Sequence, residues 1–164
     1  MTPRDRLHQM IVTFGWTGLF PIVPGTVGSA AAVALAAALH YWGALSFWVL
    51  IGMTIGAGAL NVILGPWINE KMGKDPRPVV IDEAAGQWIS CLPILFITGT
   101  PWGWFVAAFF LFRLFDITKP LGIKWWERFP QGWGILLDDC VAGCYVALLL
   151  TGAAWWMELL SLPN

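Results

Sequence analysis

Charge is scarce in this 164-residue chain, at 12% of residues, and the side chains that most often do chemistry are scarcer: two histidines and three cysteines. His8 stands near the N-terminus and His40 in a distant apolar stretch, so neither a histidine nucleophile nor a Ser-His-Asp triad can be assembled from them. Cys91, Cys140 and Cys144 form no C-x-x-C pair and lie among apolar residues. Cys140 and Cys144, four apart, share a helix face and read as small packing residues. Also missing are the G-K-[ST] of a phosphate-binding P-loop and the D-x-[DN]-x-[DN]-G of a calcium loop. A formal net charge of -1 leaves no basic field to attract nucleic acid.

Hydrocarbon is what the chain has in excess. Hydrophobic residues make up 58% and the mean hydropathy is +0.69, more apolar surface than a water-facing domain of this size can bury. The expectation is therefore one integral membrane domain over residues 1–164: an all-α, polytopic membrane helix bundle of about five membrane helices. Residues 9–23, broken by Gly15, Gly18 and Pro21, predict an interfacial or re-entrant segment. No A-x-A cleavage site follows the charged start, so the segment is expected to be retained. Helices are predicted over about 29–42, 44–64, 84–98 (kinked at Pro93), 102–117 and 138–157. Gly52 and Gly56 have G-x-x-x-G spacing and are expected to pack inside the monomer, with a dimer face as the alternative. With a cytoplasmic N-terminus, five crossings put every Lys and Arg, from Arg4 to Arg128, on the inner side, as the positive-inside rule requires.

The same topology gathers acids on that side. Asp75, Asp82 and Glu83 come from one inner loop and the helix after it, Asp116 from the end of the fourth helix, Asp138 and Asp139 from the start of the fifth. Helix capping is an alternative explanation for Asp82, Glu83, Asp138 and Asp139. It fails for Asp116, which sits where the helix dipole disfavours an anion, leaving a local pair with Arg113 or Lys119 as its alternative. Clustered carboxylates without His or Cys suit Mg2+ or another hard cation. Arg77, Arg113, Lys119, Lys124 and Arg128 supply phosphate-binding cations beside them. Together these are the parts of phosphoryl transfer or hydrolysis.

The order of motifs is more specific than any one of them. Pro24-Gly25-Thr26-Val27-Gly28, Asp75-Pro76, Val80-Ile81-Asp82-Glu83 with Gly86, Phe112-Arg113 to Asp116 with Lys119-Pro120, and Gly132-Trp133-Gly134 to Asp138-Asp139 with Ala142-Gly143 resemble the phosphatidylglycerophosphatase A family. The resemblance implies a Mg2+-dependent enzyme of the bacterial inner (cytoplasmic) membrane that hydrolyses phosphatidylglycerophosphate to phosphatidylglycerol and phosphate. Its partners would be that substrate and membrane lipids, and its site would lie on the cytoplasmic face. Asp82, Glu83, Asp138 and Asp139 are the expected metal ligands, with Asp82, Glu83, Asp116 and Asp139 as the catalytic set. The expected substrate-binding residues are Thr26, Asp75, Arg77, Arg113, Lys119, Lys124 and Arg128; an ordinary turn and cap is the alternative for Thr26. Two other classes also use such acids. Another lipid phosphoryl-transfer enzyme would need a nucleotide site, and a small cation-binding transporter or assembly subunit would need ionisable groups through the membrane depth.

Overall fold

The computed structural model describes residues 1–74, 76–120, 122–129 and 133–160, without the Glu127 side chain. It is all-helical: α1 (Pro3–Val12), α2 (Pro24–Tyr41), α3 (Phe47–Lys71), α4 (Ile81–Cys91), α5 (Trp102–Thr118) and α6 (Trp133–Trp156), with short 3-10 turns between them. Among the described residues there is no strand, only an isolated bridge between Ile97 and Leu160. Two of the helices, α3 and α6, are long and apolar enough to cross a membrane. At about 1.5 Å per residue each exceeds the ~30 Å of a hydrocarbon core.

Helix α1 falls partly outside the apolar run from which residues 9–23 were expected to lie at an interface. Its start is polar chemistry: Thr2 and Asp5 form a capping box, with Pro3 at the first helical position. Asp5 then accepts a hydrogen bond from Trp67 Nε1 of α3 at 3.0 Å, and His8 meets the Trp67 ring edge-on at 5.2 Å. The Trp67 and Thr2 donors hold the Asp5 carboxyl well below the usual carboxylate range.

Helix α4 is the centre of the fold. It packs against α2, α3, α5 and α6. Nine of its eleven residues are buried, so its polar groups must find protein partners. Gln87 Nε2 donates to Ser90 Oγ at 2.8 Å, Ser90 Oγ donates to the Gln87 carbonyl at 2.6 Å, and Trp88 Nε1 donates to the Ala32 carbonyl at 2.9 Å. The kink expected at Pro93 is sharper than a bend: α4 ends at Cys91 and a 3-10 turn, Leu92–Phe96, takes over.

Two expectations are corrected. Nothing lies within 4 Å of where a Cβ would stand on Gly52 or Gly56, so these glycines do not pack inside the monomer. The buried stripe of α3 runs instead through Leu50, Ala57, Gly58, Asn61, Leu64, Gly65 and Ile68, on the helix's other side. Second, α6 starts at Trp133, not at Asp138, so neither Asp138 nor Asp139 lies in its first turn. Capping is thereby removed as their explanation.

Helices α4 and α6 meet backbone to backbone. A Cβ on Gly143 would stand 2.3 Å from the Gly86 carbonyl oxygen, and one on Gly86 would stand 2.5 Å from that of Asp139. Neither atom is a flexible side-chain end, so the helices would have to part. Gly143→Val is expected to destabilise by about 1–3 kcal/mol or more, as overpacking of a close contact does. The check is the melting temperature of purified protein in detergent, with Gly52→Val, which meets open space, as the silent control.

Candidate functional site

The close α4–α6 contact fixes the site, because each helix carries an acid pair about one turn before its glycine: Asp82-Glu83 before Gly86, and Asp138-Asp139 before Gly143. Asp139 lies within electrostatic reach of Asp82, Glu83, Asp116 and Asp138, so the acids expected from three separate segments do converge. Their burial is severe, with Asp82 1% exposed and Asp138 and Asp139 3%.

One guanidinium organises the α5 side. Arg113 Nη1 lies 2.7 Å from Asp116 Oδ2 and 2.8 Å from Glu83 Oε2. It also donates to Ser29 Oγ at 3.3 Å, while Ser29 Oγ donates to Glu83 Oε2 at 3.2 Å. The local Arg113–Asp116 pair anticipated as an alternative for Asp116 is therefore real, and the same nitrogen extends it to α4. Behind Glu83 stands the first turn of α2: a Cβ on Gly25 would fall 2.2 Å from Glu83 Oε1. The positive end of the α2 dipole thus faces that carboxylate. The turn is entered through Val23, a β-branched residue in the left-handed region at φ 50°, which is backbone strain beside the site.

On the α6 side, Lys119 ends α5 in a left-handed conformation, φ 45°, and its ammonium bonds Asp138 Oδ2. The remaining oxygen contacts are local: the Glu83 N–H donates to Asp82 Oδ1 at 3.0 Å, and the Asp139 N–H to Asp138 Oδ1 at 3.1 Å. Among the described residues no cation pairs with Asp82 or Asp139. Five carboxylates thus share two cations, and buried charge left uncompensated is expensive. A bound cation would answer that surplus, and the donors, all carboxylate oxygens, are of the hard type Mg2+ prefers. Among the described residues no three acid, His or Cys side chains are already arranged to hold an ion.

Other expected site residues are placed differently. Thr26 lies half-buried in the first turn of α2, next to Gly25. Arg77, Lys124 and Arg128 are exposed and make no ion pair with the described acids. Asp75 lies outside the described residues. Two buried polar residues of the site were not anticipated: Ser29 at 0% exposure and Asn61 at 2%. Asn61 carried a usable signal, since a carboxamide inside an otherwise apolar membrane-length helix is costly. Ser29 carried less, being one small residue in an Ala-rich run.

Comparison with known proteins adds an independent line. The family model for phosphatidylglycerophosphatase A matches residues 10–154. The chain is 37% identical over 164 residues to phosphatidylglycerophosphatase A of Escherichia coli, covering 94% of this chain and 88% of that one. It is 36% identical over 159 residues to the Haemophilus influenzae protein of the same name, covering 92% and 90%. A Bacteroides thetaiotaomicron protein provisionally named a phosphatidylinositol-3-phosphatase is 39% identical over 155 residues, covering 91% and 94%. No solved structure matches the chain.

The shared guanidinium makes a stability prediction. Its side chain and its two acid partners are 13–17% exposed. Arg113→Met leaves Glu83 and Asp116 facing each other unneutralised and is expected to cost about 2–4 kcal/mol, somewhat below the ~3–5 of a fully dry pair. Adding Glu83→Gln should recover part of the loss. A double-mutant cycle on melting in detergent checks this; strictly additive losses would mean that the two groups do not interact.

Proposed function

The chain belongs to the phosphatidylglycerophosphatase A family and is a lipid phosphatase acting on a phosphate monoester; from that premise we propose its substrate, its metal and its membrane setting. The substrate is phosphatidylglycerophosphate, cleaved to phosphatidylglycerol and inorganic phosphate with Mg2+. The setting is the cytoplasmic face of a bacterial inner membrane, in one domain whose helices cross about five times.

The observation that carries this reading is Arg113 Nε, a buried donor with no partner. A guanidinium clamped by two carboxylates that still keeps an unused N–H is prepared for a further anion, because an unsatisfied buried donor costs about 1–3 kcal/mol. A phosphate oxygen is the matching acceptor. The acid surplus would repel a phosphate dianion by itself, which is why the reading includes a divalent cation. Some of Asp82, Glu83, Asp138 and Asp139 would hold it, and when bound it would supply charge neutralisation and activation of water.

The chain's own groups divide the remaining work. Arg113, held in place by Glu83, Asp116 and Ser29, orients the phosphate and meets charge that develops on its oxygens. Lys119 and the first turn of α2 add positive potential from the two sides. Glu83 or Asp116 is positioned to take the proton of the attacking water, since both stand beside the guanidinium that binds the phosphate. Exposed apolar residues along α3 and α6, among them Ile55, Ile63, Leu148 and Leu149, support a hydrocarbon surround. Exposed Trp48, Trp102, Trp155 and Trp156 suit headgroup belts. The acyl tails would then stay in the bilayer while the phosphate enters at headgroup depth.

Phosphate release from phosphatidylglycerophosphate by the purified protein tests the proposal. Turnover is expected with Mg2+, to fall by about 100-fold or more in EDTA, and to return on Mg2+ addition. Asp82→Asn and Asp139→Asn should each lower kcat by about 10^2–10^4 with melting temperature retained. Metal-independent turnover would overturn the proposed chemistry, and near-normal turnover in either variant would return that residue to a structural role.

A further inference from the structure

Between α1 and α2 the chain turns its apolar side chains outward. Trp16, Leu19, Phe20, Ile22 and Val23 are 44–69% exposed, a contiguous hydrophobic run of the kind that marks an interaction surface. The backbone beneath them is closed on itself. The N–H groups of Gly15, Trp16, Gly18, Leu19 and Phe20 donate to Met10 O, Thr13 Oγ1, Thr13 O, Trp16 O and Thr17 O at 2.8–3.2 Å, and Pro21 has none to offer. The Thr17 hydroxyl is bonded to the Thr13 and Phe14 carbonyls. Outward apolar side chains over an internally satisfied backbone are what hydrocarbon demands of a non-helical segment.

The segment is also tied to the site. Both of its ends are left-handed at bulky residues, Trp16 at φ 68° and Val23 at φ 50°, a conformation that persists only where the surroundings over-determine it. Those surroundings are the lead into α4. Gly18 is pressed so close to the Pro78 carbonyl that a Cβ has no room, and the Val80 N–H donates to the Val12 carbonyl at 3.0 Å. Just past Val23, Gly25 abuts Glu83.

Charge and reach select the occupant. Residues 7–69 contain no Asp, Glu, Lys or Arg, so the segment has no ion to keep out of hydrocarbon. Exposed Arg4 and Arg6 on α1, which leads into it, complement the anionic headgroups that overlie such a layer. From Ile22 to Gly25 is three residues, at most about 11 Å of chain, against a headgroup layer of about 5–8 Å per leaflet. A lipid whose acyl chains lie against Ile22 carries its phosphate to the level of Gly25, and so of Glu83 and Arg113.

We propose that residues 16–23 form a membrane-inserted wedge that captures the lipid substrate laterally and presents its phosphate to Arg113. The inference rests on the lipid-phosphatase reading and the membrane setting proposed with it, and deepens both. The partner is the boundary between acyl chains and headgroups, into which the wedge dips without crossing.

Insertion is read by modifying single added thiols with a water-soluble maleimide, in nanodiscs of phosphatidylglycerol and phosphatidylethanolamine, with peptide mass spectrometry to locate the label. Ile22→Cys is expected to react at least about 10-fold more slowly than Arg6→Cys, because a thiol in apolar surroundings ionises poorly. Equal rates overturn the proposal. So does protection that disappears when each disc holds one copy, which assigns the surface to a second chain. Capture is read by kinetics. Phe20→Ser combined with Ile22→Ser, both at exposed positions, should raise the interfacial KM for phosphatidylglycerophosphate in these discs by about 10-fold, with kcat and melting temperature retained. The same variant should hydrolyse a dihexanoyl analogue, presented as monomers, within about 2-fold of wild type, since no bilayer has to be engaged. Phe20→Leu keeps the apolar surface and should match wild type, as should Ile55→Ser on the exposed side of α3. Equal loss on both substrates marks a structural role and overturns the proposal, as does an unchanged KM or an equal rise in Ile55→Ser. Folded wild-type protein that hydrolyses neither substrate overturns the lipid-phosphatase reading, and the thiol comparison still decides whether the wedge inserts.

Discussion

The geometry of the whole site depends on two glycines. Gly86 and Gly143 let α4 and α6 touch at their backbones, with no room for a side chain on either. Because each acid pair precedes its glycine by about one helical turn, that approach sets how near Asp82 and Glu83 come to Asp138 and Asp139. Acids on two helices at ordinary 8–10 Å spacing would be separately solvated groups. At backbone contact they share one electrostatic environment, and every other feature of the site responds to it. Gln87 and Ser90 of α4 hydrogen-bond each other and Trp88 reaches the Ala32 carbonyl of α2, which helps that short helix stay at the centre of an apolar bundle.

Crowded carboxylates need compensation, and the described residues supply part of it. Arg113 is shared between Glu83 and Asp116 and braced by Ser29; Lys119 is turned onto Asp138 by the left-handed end of α5. Among the described residues the result is an incomplete compensation, buried acids beside a guanidinium with a spare donor, and the divalent cation proposed above is what would complete it.

Much of this was legible in the sequence because it follows from side and spacing. The positive-inside pattern put the acids of three segments on one face, and motif order identified the family, which the comparisons bear out. Placing a group on a face is weaker than placing it within 3 Å of another, however. Arg113 and Lys119 reach the acids, while Arg77, Lys124 and Arg128, equally basic and on the same side by that rule, stay exposed. Helix boundaries misled in an informative way. Starting α6 at Asp138 made its acids look like caps, whereas five helical residues precede them. Apolarity also hid α1, whose start is set by a polar capping box, and an apolar-run reading passed over Ser29 and Asn61 because single polar residues barely change a window average.

The first turn of α4 sends its two acids toward different neighbours. Successive helical residues point about 100° apart. Glu83 accordingly faces α2 and α5, where it meets Gly25, Ser29 and Arg113, and Asp82 faces α3, where it shares a small recess with Asn61. The Glu83 side is a network of charge shared by three helices. The Asp82 side meets neutral residues of α3. A substitution in α5 therefore perturbs Glu83 first and one along α3 perturbs Asp82 first, so the two acids of a single helical turn can be disturbed separately.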